Sequence, residues 1–141
     1  MVNKFWIISI IILFIDQITK YIAQNTLAYV TNTGASFGIL YGNNTLLSIL
    51  AIIIMLALIY YQEQEPHFAY PFIMGGLLGN LTDRILYGHV IDFIKLPYIT
   101  FPYFNIADTA TTIGGILLLY SLGKELYQRT IQPKKHLNLR N

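Results

Sequence analysis

Residues 46–61, LLSILAIIIMLALIYY, decide the fold. The run carries no charged side chain and only one small hydroxyl, Ser48. A helix that crosses a bilayer needs about 20 mostly apolar residues, with about 17 as the lower limit. With Thr45 the run reaches that limit, and polar residues close it on both sides: Asn43-Asn44 before it and QEQEP (62–66) after it. Three other segments read the same way on either side: 5–22, 67–87 and 105–123. The last two carry more polar residues, so hydropathy alone ranks them lower.

The totals agree with a membrane protein. The chain has 141 residues, 55% hydrophobic and 11% charged, against about 25% charged in an average soluble domain. Its mean hydropathy is +0.52. The length suits a single integral membrane domain over 1–141, an all-α bundle of four transmembrane helices. A net charge of +2 and the lack of a basic stripe give no footprint for nucleic acid. The absence of cysteine removes disulfides, thiolate metal sites, a thiol nucleophile and lipid attachment to a cysteine of this chain. Residues 5–15 after Lys4 imitate a signal-peptide core, but the apolar register continues to Ile22 without a small-x-small cleavage site. An uncleaved first span is expected.

The connections differ in kind. Residues 23–44 contain no Lys or Arg and alternate partially around Leu27-Ala28-Tyr29-Val30, as a short strand or hairpin lying on the membrane would. Residues 88–104 hold Pro97 and Pro102 and are expected to be irregular or briefly helical. The tail 124–141 is polar and basic. Lys4, Lys124, Arg129, Lys134, Lys135 and Arg140 lie beyond the ends of the first and fourth spans. Positive charge marks the cytoplasmic side, so both termini are expected there and 23–44 and 88–104 outside.

That topology gathers the unusual residues. Asp16, Asp83, Asp92 and Asp108 all fall in the outer half of the membrane or at its outer surface. Asp92 in VIDFI and Asp108 in FNIAD have apolar neighbours, where a carboxylate is costly unless paired, protonated or useful. Lys95 is the one cation at helical spacing from either. Two carboxylates that meet can share a proton and work as acid and base. Open alternatives are a proton- or ion-conducting relay and plain structural bonding. On the third span Gly76, Asn80, Asp83 and Arg84 share a face, and on the fourth Asn105, Asp108 and Thr112 do. Asp16–Lys20 and Asp83–Arg84 read as structural ion pairs or members of a polar network. Gly75, Gly76 and Gly79 allow close approach of a helix or a bound peptide. Asn32 taken alone is an ordinary turn residue. His89 beside Asp92 has no second histidine on its side, so no metal site is expected. No serine sits in a nucleophile elbow.

Five blocks in order resemble the lipoprotein signal peptidases, or signal peptidase II. Asp16-Gln17-Ile18-Thr19-Lys20 is similar to D-Q-x-x-K. Asn32-Thr33-Gly34-Ala35-Ser36-Phe37 is similar to N-x-G-A-A-F, with Ser36 at a usual alanine. Gly75 to Arg84 fits G-G-x-x-G-N-x-x-D-R. Gly88-His89-Val90-Ile91-Asp92-Phe93 fits G-x-V-x-D-F, and Phe104-Asn105-Ile106-Ala107-Asp108 fits F-N-x-A-D. The resemblance implies a bacterial inner-membrane aspartyl endopeptidase that cuts diacylglyceryl-modified prolipoproteins just before the lipidated cysteine. It implies Asp92 and Asp108 as the catalytic dyad and Asn32, Gly34, Asn80, Arg84 and Asn105 as substrate-binding positions. Asp16, Lys20 and Asp83 become a structural polar network, and 23–44 a β-like cradle over an active site on the extracytoplasmic side. No cofactor is implied. Partners would be the lipidated substrate, membrane lipids and cyclic-peptide inhibitors of the globomycin type, with a monomer sufficient for the chemistry.

Overall fold

The computed structural model describes residues 2–35, 38–65 and 67–131. Ser36-Phe37 of the second block, Pro66 of the acidic turn, and Lys134, Lys135 and Arg140 of the tail lie outside the described residues. Four helices carry the fold: α1 (Val2–Thr26), α2 (Asn44–Gln64), α3 (Tyr70–Tyr87) and α4 (Ile106–Ile131). Strands β1 (Val30–Asn32) and β2 (Val90–Asp92) lie between α1 and α2, and between α3 and α4.

Local chemistry sets the ends of these elements. Pro71 stands in the first turn of α3, where a missing N–H removes no helical bond. Gly88 ends α3 in a left-handed conformation (φ 74°), its N–H donating to the Arg84 carbonyl. Asn105 caps α4: its Oδ1 accepts from the Asp108 N–H at 2.8 Å, while Asp108 Oδ2 accepts from the Asn105 N–H at 3.3 Å. That is a reciprocal capping box, and it explains the Asn-x-x-Asp spacing without any reference to function.

α3 is the hub, packed against α1, α4 and α2. Its glycines make this possible. A Cβ on Gly75 would strike Ile12 of α1, and one on Gly76 would strike Thr111 and the Ala107 carbonyl of α4. One on Gly79 would sit 2.5 Å from Asp16 Oδ2. All three glycines are therefore used for helix packing, and none is left to admit a peptide backbone. Large apolar side chains such as Ile7, Phe14, Ile53, Leu56, Ile116 and Leu119 face outward, whereas Asp16, Lys20, Asp83, Asp92 and Asn105 are buried. An apolar exterior over a polar interior suits lipid as solvent.

Several expectations need adjustment. Among the described residues three helices, not four, are long and apolar enough to cross a membrane: Lys4–Thr26, Asn44–Gln64 and Ile106–Thr130. α3 is 18 residues long and spends Asn80, Asp83 and Arg84 on its interior face, which lowers its hydropathy. The first helix continues four residues past Ile22, and the fourth runs through Lys124 to Ile131. No hairpin forms within 23–44 among the described residues. β1 instead pairs antiparallel with β2, Val30 opposite Asp92 and Asn32 opposite Val90. The 88–104 segment is thus half of the sheet, extended by a bridge between Ile94 and Phe104.

Candidate active site

Asp92 ends β2 and Asp108 lies in the first turn of α4, and both face one cavity of about 700 Å³. Asn32, Gly34, Asn80 and Arg84 line it too. Val30, Leu96, Phe101 and Phe104 give much of the wall an apolar character.

The two carboxylates are joined by one residue. Asn105 Nδ2 donates to Asp92 Oδ1 at 2.7 Å, and the Asn105 backbone N–H donates to Asp108 Oδ2. Each acid also receives a further side-chain amide: Asn32 Nδ2 to Asp92 Oδ2 at 3.0 Å, and Asn80 Nδ2 to Asp108 Oδ1 at 2.8 Å. Asp92 is 1% exposed. Burial, and then the neighbouring Asp108 charge, push the Asp92 carboxyl up to about 6, against the donors from Asn32 and Asn105. The pair offers a proton acceptor and a proton donor facing the same space.

The cradle is tied to this pair. Asn32 Oδ1 accepts from the Gly34 N–H at 2.9 Å, a local turn that aims its Nδ2 at Asp92. Gly34 fits because a Cβ there would lie 3.0 Å from the Ile39 carbonyl. Arg84 Nη2 donates to the Gly34 carbonyl at 3.2 Å, while Arg84 Nε, also buried, has no partner among the described residues.

Asp16, Lys20 and Asp83 are buried together and do not line the cavity. Lys20 Nζ lies 2.7 Å from Asp16 and 2.8 Å from Asp83. Asp83 therefore pairs with Lys20 rather than with Arg84, because adjacent positions on a helix point about 100° apart. The polar face of α3 divides accordingly, Asp83 toward α1 and Asn80 and Arg84 toward the cavity. Asp83 Oδ2 also accepts from the Ile91 N–H at 3.1 Å, which holds the strand carrying Asp92. Asp16 Oδ1 accepts from the Ala107 N–H at 2.8 Å, which holds the turn carrying Asp108. Sequence reasoning passes over Gln17, yet its Nε2 donates to Asp83 Oδ1 at 2.9 Å. Its place beside Asp16 in the same block is the available signal. His89 packs beside Tyr87 and does not line the cavity. Thr109 on the cavity wall, and the Phe101 and Tyr103 aromatics, carry no signal in sequence.

The fold and site define a helical membrane protein with two amide-bound carboxylates at one cavity. The family described as Signal peptidase (SPase) II matches residues 8–124. A lipoprotein signal peptidase of Microcystis aeruginosa is 37% identical over 83% of this chain and 90% of its own length. One from Staphylococcus aureus is 37% identical over 84% of this chain and 87% of its own. A solved bacterial membrane enzyme, determined by the in meso method at 2.3 Å, superposes with a TM-score of 0.85 at 33% identity, covering 96% of this chain and 94% of that one. The chain belongs to the signal peptidase II family. Its apolar helices and bacterial relatives make it a bacterial membrane protein, and its family makes it a protease.

Proposed function

We propose that this chain removes signal peptides from diacylglyceryl-modified prolipoproteins, cutting before the lipidated cysteine, with Asp92 and Asp108 as an aspartyl dyad. The observation that carries the reading is the single residue Asn105 holding both carboxylates at one cavity wall. One ionised aspartate takes a proton from a water held between the pair. The other, protonated, donates its proton to the scissile carbonyl; as the resulting diol collapses it recovers that proton, and the first aspartate passes the proton taken from water to the leaving amine. Burial of Asp92 and its nearness to the Asp108 charge favour one proton shared by the pair at the start of the cycle. Arg84 and the apolar wall suit an extended peptide with an acyl chain beside it.

α3 completes a set of four spans in this reading. Its 18 residues measure about 27 Å at 1.5 Å per residue, close to the roughly 30 Å hydrocarbon core. Lys4, Lys124 and Arg129 favour cytoplasmic termini in this reading, with the cavity on the outer side. One chain supplies every residue of the site, so a monomer suffices. Cyclic peptides that present a hydroxyl to the dyad should inhibit.

The test is a gel-shift assay on a purified diacylglyceryl-prolipoprotein, wild type beside Asp92→Asn and Asp108→Asn. Cleavage by the wild type alone is the expected result. Cleavage by all three leaves a peptidase without this dyad. A folded wild type that leaves the substrate intact points to the ion-coupled reading of the same carboxylates.

A further inference from the structure

Lys20 does more than balance Asp16 and Asp83. Its side chain is 2% exposed, and besides the two carboxylates its Nζ donates to Asn80 Oδ1 at 3.1 Å. An ammonium has three N–H donors and no acceptor, so three oxygens consume its whole capacity. The Asn80 atom that faces it must be oxygen. Asn80 must then turn its Nδ2 toward Asp108, where it donates at 2.8 Å. The same oxygen accepts at 3.0 Å from Asn105 Nδ2, an amide whose orientation the Asp108 N–H already sets through Asn105 Oδ1. The cation thereby fixes the polarity of the Asn80 amide that holds Asp108.

We propose that Lys20 is a positioning residue for catalysis, which through the Asn80 oxygen keeps an amide N–H, rather than a carbonyl, aimed at Asp108. This rests on the dyad reading above. Donors favour an ionised carboxylate, and a flipped amide would favour a protonated one. Without the cation the Asn80 oxygen keeps only the Asn105 donor, the flipped amide becomes accessible, and Asp108 loses a hydrogen bond that favours its ionised form. The charged groups around the relay are Asp16 on α1, Asp83 and Arg84 on α3, Asp92 on β2 and Asp108 on α4.

Removing Lys20 alone would leave two buried carboxylates together and could unfold the chain, so the experiment uses Asp16→Asn as its reference. Adding Lys20→Met to that reference keeps the cluster's net charge the same as in the wild type. Asp83 retains its donors Gln17 and the Ile91 N–H, and the asparagine oxygen introduced at position 16 can still accept from the Ala107 N–H. Cleavage of the lipidated prolipoprotein is followed against pH, with thermal unfolding as the fold check. Lys20→Met on the reference should lower kcat at least about tenfold with KM within about twofold, a loss confined to the chemical step. The acid limb of the pH–rate profile should move to higher pH. A double variant that melts at the same temperature as the reference and keeps both kcat and the acid limb makes Lys20 purely structural and overturns the proposal. Should the double variant not fold, dipolar-coupling NMR on the wild type decides: Asn80 Nδ2 close to the Asp108 carboxyl carbon supports the relay, and Nδ2 turned to Lys20 overturns it. Asp108→Asn runs alongside. If that variant cleaves normally, the dyad reading itself has failed, a result distinct from failure of the relay alone.

Discussion

Asn105 and Asp108 exchange two hydrogen bonds across the first turn of α4, while the same Asn105 side chain reaches Asp92 on β2. A helix cap and a site bridge are thus one residue. Substitution separates the two roles. Serine caps a helix about as well as asparagine, whereas alanine at such a position costs about 1 kcal/mol. The serine hydroxyl is too short to span to Asp92. Asn105→Ser should therefore keep its melting temperature within a few degrees and lose most of its kcat, and Asn105→Ala should lose both. Calorimetry beside the cleavage assay reads the two effects. Full activity in a stable Asn105→Ser would remove the bridge from the chemistry.

Asp92 carries a pH signature. Its folded carboxyl lies at about 6, above the ordinary value of 3.8. Between those values the folded state holds a proton that the unfolded chain has lost. The sign follows: this group's contribution to stability falls as pH rises from about 4 to about 6 and stays unfavourable above that. Asp92→Asn removes the titration, so its stability should lack that decline, and at about pH 7.5 it should melt no lower than the wild type. In Asp108→Asn the Coulomb contribution to the shift is gone, and a carboxyl carbon NMR titration of Asp92 should move below its wild-type midpoint. An unmoved titration would mean that the carboxylates do not sense each other.

Packing of α3 on α4 is tight at one point. A Cβ on Gly76 would meet the Ala107 carbonyl, which is backbone and cannot swing aside, whereas a Cβ on Gly115 meets nothing within 4 Å. Gly76→Ala should cost about 1–3 kcal/mol of stability and disturb the turn that carries Asp108. Gly115→Ala should be neutral or slightly stabilising, because alanine is the better helix former. Equal melting of the two variants would contradict the interface.

The parts of this architecture that are legible in sequence are those written in local chemistry. The uncharged run at 46–61 announces a span, and VIDFI and FNIAD announce carboxylates in apolar company. The five ordered blocks name Asn32, Asn80 and Arg84, which line the cavity, and Asn105, which lies buried behind it. What is not legible depends on long-range pairing. β1 finds its partner about sixty residues away, and nothing in residues 23–44 says that Val30 faces Asp92 rather than a hairpin neighbour. Asp83 joins a buried polar network, with Lys20 and not Arg84 as its cation, because adjacency in sequence is separation around a helix. The α3 glycines fail as a peptide entrance because spacing shows which residues share a face but not what covers it.

The buried ion cluster also bears on how the chain is made. α1 is synthesised first and carries Asp16 and Lys20 within i, i+4 reach, so it can enter the bilayer as a nearly neutral segment. α3 comes later, poorest in apolar length and bearing Asp83. A lone aspartate costs about 2.5–3.5 kcal/mol to insert at a helix centre and less toward an end, where Asp83 lies. The Lys20 ammonium waiting on α1 offsets that cost as soon as the two helices touch. In the four-span reading proposed above, insertion is then ordered by charge, the earlier helix serving as receptor for the later one.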